Sequence, residues 1–236
     1  MEIVTVGYDH DLDWLDRTGL PITVVKKKGC KDIKWPKTYT VYEIDNVGLD
    51  TICLLTFIVE RYETLPDRLV HLHGHYDNHH HRLGDVVPLI RDAPDVDFVG
   101  LNGNLRIMHI DWDVHWRRDY QTHKWAEFVL GYDPGNCVMS FDGNAQFIVK
   151  KELILRNTKE HYKKLIEFVS DPDVTHLYVM EELWYMLLSG KMLYEPPIKF
   201  MVDMGFVDPA ALKFLAETQP ETNLGKLAKK ISTKVK

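Results

Sequence analysis

The chain has few cysteines and no long apolar segment, and each absence excludes a class of protein. Its 236 residues include only Cys30, Cys53 and Cys137, which are odd in number and far apart. This pattern argues against a disulfide framework and is typical of a reducing compartment. No apolar run approaches the ~18 residues that span a bilayer, and the amino-terminal residues lack the design of a secretory signal. We therefore expect a cytoplasmic protein.

Positive charge is also in short supply. The chain has 29 Lys and Arg against 35 Asp and Glu, which gives a formal net charge of −6. General nucleic-acid binding needs a basic face, so we expect no nucleic-acid partner. A hydrophobic content of 45% excludes a disordered chain. The length fits one α/β domain with a small appendage.

Strand and helix patterns alternate along the chain. The apolar stretch over residues 44–62 predicts a buried helix that Asp45 or Asn46 could cap. Short β-rich runs predict strands over residues 2–8, 22–29, 68–74 and 97–103. A strand–helix–strand order is the crossover unit of a parallel sheet. We therefore predict an α/β fold with a mostly parallel central sheet and helices on both faces.

Six of the twelve histidines lie in the segment LVHLHGHYDNHHHRLG, residues 69–84. Because side chains alternate along a strand, His71 and His73 should share one face. His73, His75 and Asp77 follow at the strand end, and imidazole with carboxylate is a donor set for divalent ions. Three interpretations remain open: a divalent metal site, a sugar-phosphate site, or a solvated loop with one or two core histidines.

Three further groups could carry chemistry. The turn NVGLD, residues 46–50, could bind phosphate at a helix start or simply cap the helix. The adjacent Glu181 and Glu182 could supply a general base or merely complement the helix dipole. Of the several D-x-D pairs, which could also be turns or caps, Asp111 in IDWDVHW stands out because the neighbouring Trp112 could stack on a sugar. In open parallel sheets, ligands bind beyond the carboxyl ends of the strands. That rule marks the rim over residues 7–10, 26–29, 73–77 and 102–104.

Four segments in order resemble a known family, a domain of unknown function that has been grouped with GT-A-type glycosyltransferases. They are VTVGYDHDLDWL, NVGLDTICLLTFIVERYETL, LVHLHGHYDNHHH, and NAQFIVKKELILRNTKEHYKKLIEFV with MEELW after it. The resemblance runs from about residue 3 to residue 190. It implies a GT-A-like fold with a nucleotide-sugar site at the rim of the sheet.

The resemblance also assigns roles to residues. Gly7, Tyr8 and Asp9 would border the nucleotide, and Asn46, Gly48 and Asp50 would approach the nucleotide or the donor sugar. A divalent ion, Mn²⁺ or Mg²⁺, would be held by His73, His75 and Asp77. Glu181, with Glu182 beside it, would be the general base. Apart from the resemblance, we expect Lys26 to add positive charge at the same rim and His80, Asp111 and Trp112 to contact the acceptor. Two departures stand out: Leu49 and Asp50 replace a common Arg-Glu pair, and the His73–Asp77 segment is not a D-x-D.

The expected function is that of a glycosyltransferase that moves a sugar from a nucleotide-diphosphate donor to a hydroxyl of a glycan or another acceptor. The alternatives are a metal-dependent hydrolase that uses the His71–His81 cluster and a non-catalytic nucleotide-sugar or carbohydrate-binding module. Residues 1–200 are expected to form the catalytic domain. Residues 201–236 are expected to form a helical extension whose basic tail could contact a membrane surface.

Overall fold

The structure is a computed structural model. It describes the chain except for residues 32, 75–85, 104, 111–124, 136, 144, 172–178, 198–199, 201–212, 214–215, 219, 222 and 234–236.

Two sheets contain the strands of the described residues. The strands are β1 (Glu2–Gly7), β2 (Ile22–Lys27), β3 (Thr40–Ile44), β4 (Arg68–Leu72), β5 (Phe98–Gly100), β6 (Leu105–Ile110), β7 (Cys137–Asp142) and β8 (Phe147–Lys150). The main sheet has the order β3-β2-β1-β4-β8-β5, and β6 pairs with β7 in a separate antiparallel ribbon.

The main sheet is mostly parallel, as the sequence predicts. Strands β3, β2, β1 and β4 run parallel to one another. Strand β8 runs antiparallel to both β4 and β5. The strands predicted over residues 2–8, 22–29, 68–74 and 97–103 correspond to β1, β2, β4 and β5. The first three are one or two residues shorter than predicted, and β5 has three residues instead of seven.

Helices connect the strands and cover the sheet. Those whose bounds lie within the described residues are α1 (Thr51–Arg61), α2 (Val86–Arg91), α3 (Lys151–Ile154), α4 (Lys159–Ser170), α5 (Val179–Ser189) and α6 (Asn223–Ser232). Short 3₁₀ turns lie at Asp13–Thr18 and Tyr62–Thr64.

Helix α1 starts later than the apolar pattern predicts. Gly48 and Leu49 both have positive φ angles, +64° and +51°, so the chain turns there and the helix begins only after Asp50. Ile44 belongs to β3 instead of a helix. The prediction that Asp45 or Asn46 caps this helix is therefore wrong.

The sheet has one hydrophobic core on each face. Because side chains alternate along β1, Val4 packs in a core shared with α1, α4 and α5. Ile3 packs in a second core, shared with the 3₁₀ turn at Asp13–Thr18 and with α2. The sheet therefore carries helices on both faces, as predicted.

The order of the strands creates one topological switch. The chain adds β2 and β3 on one side of β1 and then crosses to β4 on the other side. The connections after β1 and after β4 therefore diverge at the carboxyl ends of these neighbouring strands. A crevice at such a point is where open α/β sheets bind ligands.

The carboxyl-terminal region ends in α6, which Lys230 links to Glu195 by an ion pair. The proposed boundary near residue 200 and the membrane contact of the basic tail stay predictions. None of the described helices is both long and apolar enough to cross a membrane.

Candidate functional site

The carboxyl edge at the β1–β4 switch collects polar side chains on one face of the sheet. The register pairs Val4 with His71 and Val6 with Val25. Because side chains alternate along strands, Lys27, His71 and His73 project to this same face, on which α1 packs. The shared face of His71 and His73, which the sequence predicts, agrees with this register.

Asp50, which precedes α1, meets both histidines. Its Oδ2 atom lies 3.0 Å from Nε2 of His73 and 3.7 Å from Nε2 of His71. Burial alone would raise the pKa of Asp50, but electrostatic attraction to the nearby imidazole of His73, and to that of His71, outweighs burial and holds this pKa well below its ordinary value. The carboxyl group of Asp50 is therefore ionised at neutral pH.

Several polar atoms of this cluster are buried without a hydrogen-bond partner. They include Oδ2 of Asp50 and both ring nitrogens of His71. The 3.0 Å approach of His73 to Asp50 is thus a close electrostatic contact and lacks the alignment of a good hydrogen bond. Asp50 also makes no side-chain cap on α1. Unsatisfied buried groups are rare in folded proteins and call for an explanation such as a bound molecule.

Lys27 fixes the turn that leads into α1. Its Nζ donates a hydrogen bond of 2.5 Å to the carbonyl oxygen of Val47, next to Gly48 and Leu49. Burial lowers the pKa of Lys27, although Cys53 and Asp50 oppose this shift. A nearly buried ammonium group therefore stands beside the ionised Asp50.

A second polar network reaches the same edge from β8. The Gln146 side chain accepts a hydrogen bond from the backbone N–H of His73 (3.1 Å) and donates one to Oδ1 of Asn102 (2.9 Å). Asn102 donates its side-chain N–H to the carbonyl of Gln146 (3.1 Å) and its backbone N–H to Oδ2 of Asp142 (2.9 Å). All three polar side chains are buried. The network joins the ends of β4, β5 and β7 to the start of β8.

The opening loop after β1 also lies at this edge. A Cβ added at Gly7 would lie 2.5 Å from Val24 and 2.6 Å from the ring of Trp35, so Gly7 makes room for that ring. Tyr8 is exposed, and Asp9 accepts a hydrogen bond from the backbone N–H of Lys31 (2.7 Å).

The loop after β1 touches the segment after β4 directly. A Cβ on Gly74 would collide with the His10 ring and would lie 2.8 Å from the carbonyl oxygen of Val6. The opening loop, the α1 entrance and the end of β4 therefore share one region.

The predicted Lys26 belongs to the other face of the sheet. Its Nζ lies 3.5 Å from Glu43 on β3. Because side chains alternate along β2, it is Lys27 that lies on the face of Asp50. The sequence alone points to Lys26 and does not single out Lys27. Asn46 is exposed in the turn, and a Cβ on Gly48 would lie 2.9 Å from Ile52 and 3.0 Å from the carbonyl of Val169.

Glu181 and Glu182 lie in the first turn of α5. Trp184, one turn later, contacts Phe147, whose ring meets His71 edge-on at the carboxyl edge. The other end of α5 points to the amino edge, because the carbonyl of Leu187 accepts a hydrogen bond from Asn157. Helix α5 therefore runs from the carboxyl edge toward the amino edge. Glu182 is buried, whereas Glu181 is partly exposed.

The predicted metal and acceptor sites depend mostly on residues that the structure does not describe. His75, Asp77, His80, Asp111 and Trp112 lie outside the described residues. Within the part of the chain that the structure describes, no group of three or more His, Cys, Asp or Glu side chains is arranged to hold a metal ion. The ligand set His73, His75 and Asp77 and the acceptor contacts therefore stay predictions.

A large cavity of the described residues lies elsewhere. It has a volume of about 910 Å³ and is lined by Asp97 and Phe98 at the amino end of β5, with Tyr185, Arg156 and Lys191. This position is at the amino edge of the sheet, opposite the polar cluster.

Comparisons with known proteins give a family and a distant structural likeness. A family described as "Protein of unknown function (DUF3431)" matches residues 3–200. No curated protein matches the chain significantly. A solved structure of CMP:2-keto-3-deoxy-manno-octonic acid synthetase in complex with CTP covers 82% of this chain and 89% of its own, at 8% identity and a TM-score of 0.33.

Proposed function

The chain belongs to the DUF3431 family, whose function is unknown. From the arrangement of its carboxyl edge, we propose that this member of the family is a GT-A-like glycosyltransferase. The proposed reaction moves a sugar from a nucleotide-diphosphate donor to a hydroxyl acceptor.

One observation carries the proposal: three separate segments meet at the β1–β4 switch. The loop after β1 touches Gly74, and Asp50 at the α1 entrance contacts His73 at the end of β4. The amino end of α1 and the ammonium group of Lys27 add positive potential there, which favours an anionic ligand. A nucleotide carrying a diphosphate suits a sheet edge of this position and charge.

The donor is proposed to lie across the carboxyl ends of β1 and β4. Gly7, Tyr8 and Asp9 would border the nucleotide, with the exposed Tyr8 ring available for stacking. Asn46, Gly48 and Asp50 would face the diphosphate or the sugar. Lys26 is not part of this proposal, because Lys27 occupies the face that carries Asp50.

The chemistry requires one base and a stabilised leaving group. Glu181 would take the proton of the acceptor hydroxyl. The oxygen of that hydroxyl would form a bond to the anomeric carbon of the donor sugar, and the bond from this carbon to the diphosphate would break. His73 has the donor chemistry of a metal ligand, and with His75 and Asp77 it is proposed to hold Mn²⁺ or Mg²⁺, whose charge would offset that of the diphosphate.

Calorimetry tests the proposed function. The purified chain is titrated with UDP-sugars and GDP-sugars, with and without Mn²⁺, and turnover is followed as release of the nucleoside diphosphate. Binding with turnover in the presence of an acceptor supports the transferase. Binding without turnover indicates a non-catalytic module. Absent binding together with stoichiometric zinc in the purified protein indicates the metal-dependent hydrolase.

Replacing the proposed base tests its role. Glu181→Gln should keep donor binding and lower turnover by about 10²-fold or more, the usual loss for a general base. Glu160→Gln, at an exposed position of α4, is the matched control and should keep wild-type turnover. Normal turnover in Glu181→Gln would remove Glu181 from the mechanism.

A further inference from the structure

Both the backbone and the ring of His73 are held by buried groups from other elements. We infer that His73 contacts the diphosphate of the donor, and that Asp50 and Gln146 are its positioning residues. This inference rests on the proposed nucleotide-diphosphate donor and names the residues that recognise its anionic part.

The backbone of His73 is fixed by Gln146. The β4–β8 ladder ends at the pair His71 and Phe147, and the next bond comes from the Gln146 side chain to the His73 N–H. The orientation of this amide is set by the network, because its NH₂ group donates to Asn102. Gln146 therefore extends the ladder by one bond beyond the end of β4.

The ring of His73 is fixed by Asp50. The carboxylate does not cap α1 and instead lies 3.0 Å from Nε2 of His73. Its position depends on the Gly48–Leu49 turn, which Lys27 holds through the carbonyl of Val47. Burying a carboxylate, an ammonium and two imidazoles has a substantial desolvation free energy. In return, this arrangement fixes the position of the His73 ring.

His73 and Asp50 both keep some access to solvent, whereas the groups around them are buried. The side chains of His73 and Asp50 are 15% and 14% exposed, that of His71 is 0% exposed, and Gln146 is 1% exposed. The ring nitrogens of His71, which lack a hydrogen-bond partner, lie beside the same carboxylate, at the positive end of α1 and near Lys27. A phosphate oxygen is a ligand for this position because it is anionic and accepts hydrogen bonds.

The test compares a nucleoside diphosphate with its nucleoside. UDP and uridine, and in parallel GDP and guanosine, are titrated by NMR against the wild type, His73→Ala, Asp50→Asn and Gln146→Met. Loss of a charge-assisted hydrogen bond should weaken diphosphate binding about 10- to 100-fold. Nucleoside binding should stay within about twofold, because it does not involve the diphosphate. All titrations are run in EDTA, where the loss of diphosphate binding should persist. A loss that appears only after a divalent ion is added would show contact through that ion and would overturn the direct contact.

Two comparisons separate positioning from general damage. Asp45→Asn changes an exposed carboxylate in the same connection, which pairs with Lys28, and should behave as the wild type. Asp50→Glu restores a carboxylate and should recover part of the lost affinity. If Gln146→Met does not fold, Asp50→Asn still decides, because Asp50 lies outside the sheet.

The outcomes distinguish this inference from the proposed function. If the wild type binds no nucleoside diphosphate, the proposed function fails and the inference fails with it. If the wild type binds and the three variants bind equally well, the inference alone is wrong. Equal losses for nucleoside and diphosphate would show a merely structural role and would also overturn it.

Discussion

The two edges of the main sheet use polar residues in opposite ways. At the amino edge, Lys150 pairs with Asp95 and Lys151 with Asp67, both at 3.2 Å, and the two carboxylates are 78% and 93% exposed. At the carboxyl edge, Asn102 and Gln146 are buried and bonded to each other. The amino edge also borders the 910 Å³ cavity.

This contrast indicates which edge of the sheet to associate with function. Exposed ion pairs gain little and cost little, so they accompany almost any surface. Buried polar groups cost free energy unless each finds a partner, and the cluster around Asp50 keeps some atoms without one. Cavity volume marks the amino edge, but the chemistry of the side chains marks the carboxyl edge.

The largest expected effect comes from breaking the buried network. Asn102→Ala removes the partner of the Gln146 side-chain N–H and leaves that donor buried, so unfolding should become easier by about 2–4 kcal/mol. Urea denaturation measures the change. Asn46→Ala, at an exposed site on the same edge, should stay within about 0.5 kcal/mol of the wild type. Equal effects of the two variants would contradict the contrast between buried and exposed groups.

A smaller change in the free energy of unfolding, limited to low pH, is expected from Asp50. Its folded-state pKa lies below its ordinary value of 3.8, so its stabilising contribution is present above about pH 4 and is lost as the pH falls through the folded-state pKa. Asp50→Asn cannot titrate and should lose less stability than the wild type between pH 5 and pH 2. Urea midpoints across this range test it, with Asp45→Asn expected to follow the wild-type curve.

The smallest effect is expected at the amino edge. Lys150→Met removes the contacts with Asp95 (3.2 Å) and Asp97 (3.7 Å) but keeps the aliphatic stem. The free energy of unfolding should change by less than about 1 kcal/mol, and added salt should reduce the difference further. A loss comparable to that of Asn102→Ala would mean that both edges are equally important for stability.

Local patterns predicted most of the sheet because alternation and turn residues are local signals. Strands β1, β2, β4 and β5 follow from short β-rich runs bounded by turns. Strand β3 was missed because its last residue, Ile44, joins an apolar stretch that also has a helical pattern. Only the consecutive positive φ angles of Gly48 and Leu49 separate the two elements, and a leucine gives no sequence signal for such a turn.

The candidate site was predicted in outline but not in its partners. The alternation of β4 places His71 and His73 together, and the helix entrance draws attention to Asp50. The choice of Lys27 over Lys26 depends on which face of β2 meets α1, and the role of Gln146 depends on an antiparallel pairing 73 residues away from His73. Such long-range register has no local signature in one sequence.

The reversed direction of β8 has a consequence for how this protein could change. Its neighbours enter the sheet at the amino edge, but β8 enters at the carboxyl edge, so the residues just before Phe147 border the candidate site and those after Lys150 do not. Insertions ahead of β8 should therefore change the candidate site, whereas equally long insertions after α3 should leave it unchanged. One strand direction thus separates the positions that could diversify specificity from those that could accept a fused tag.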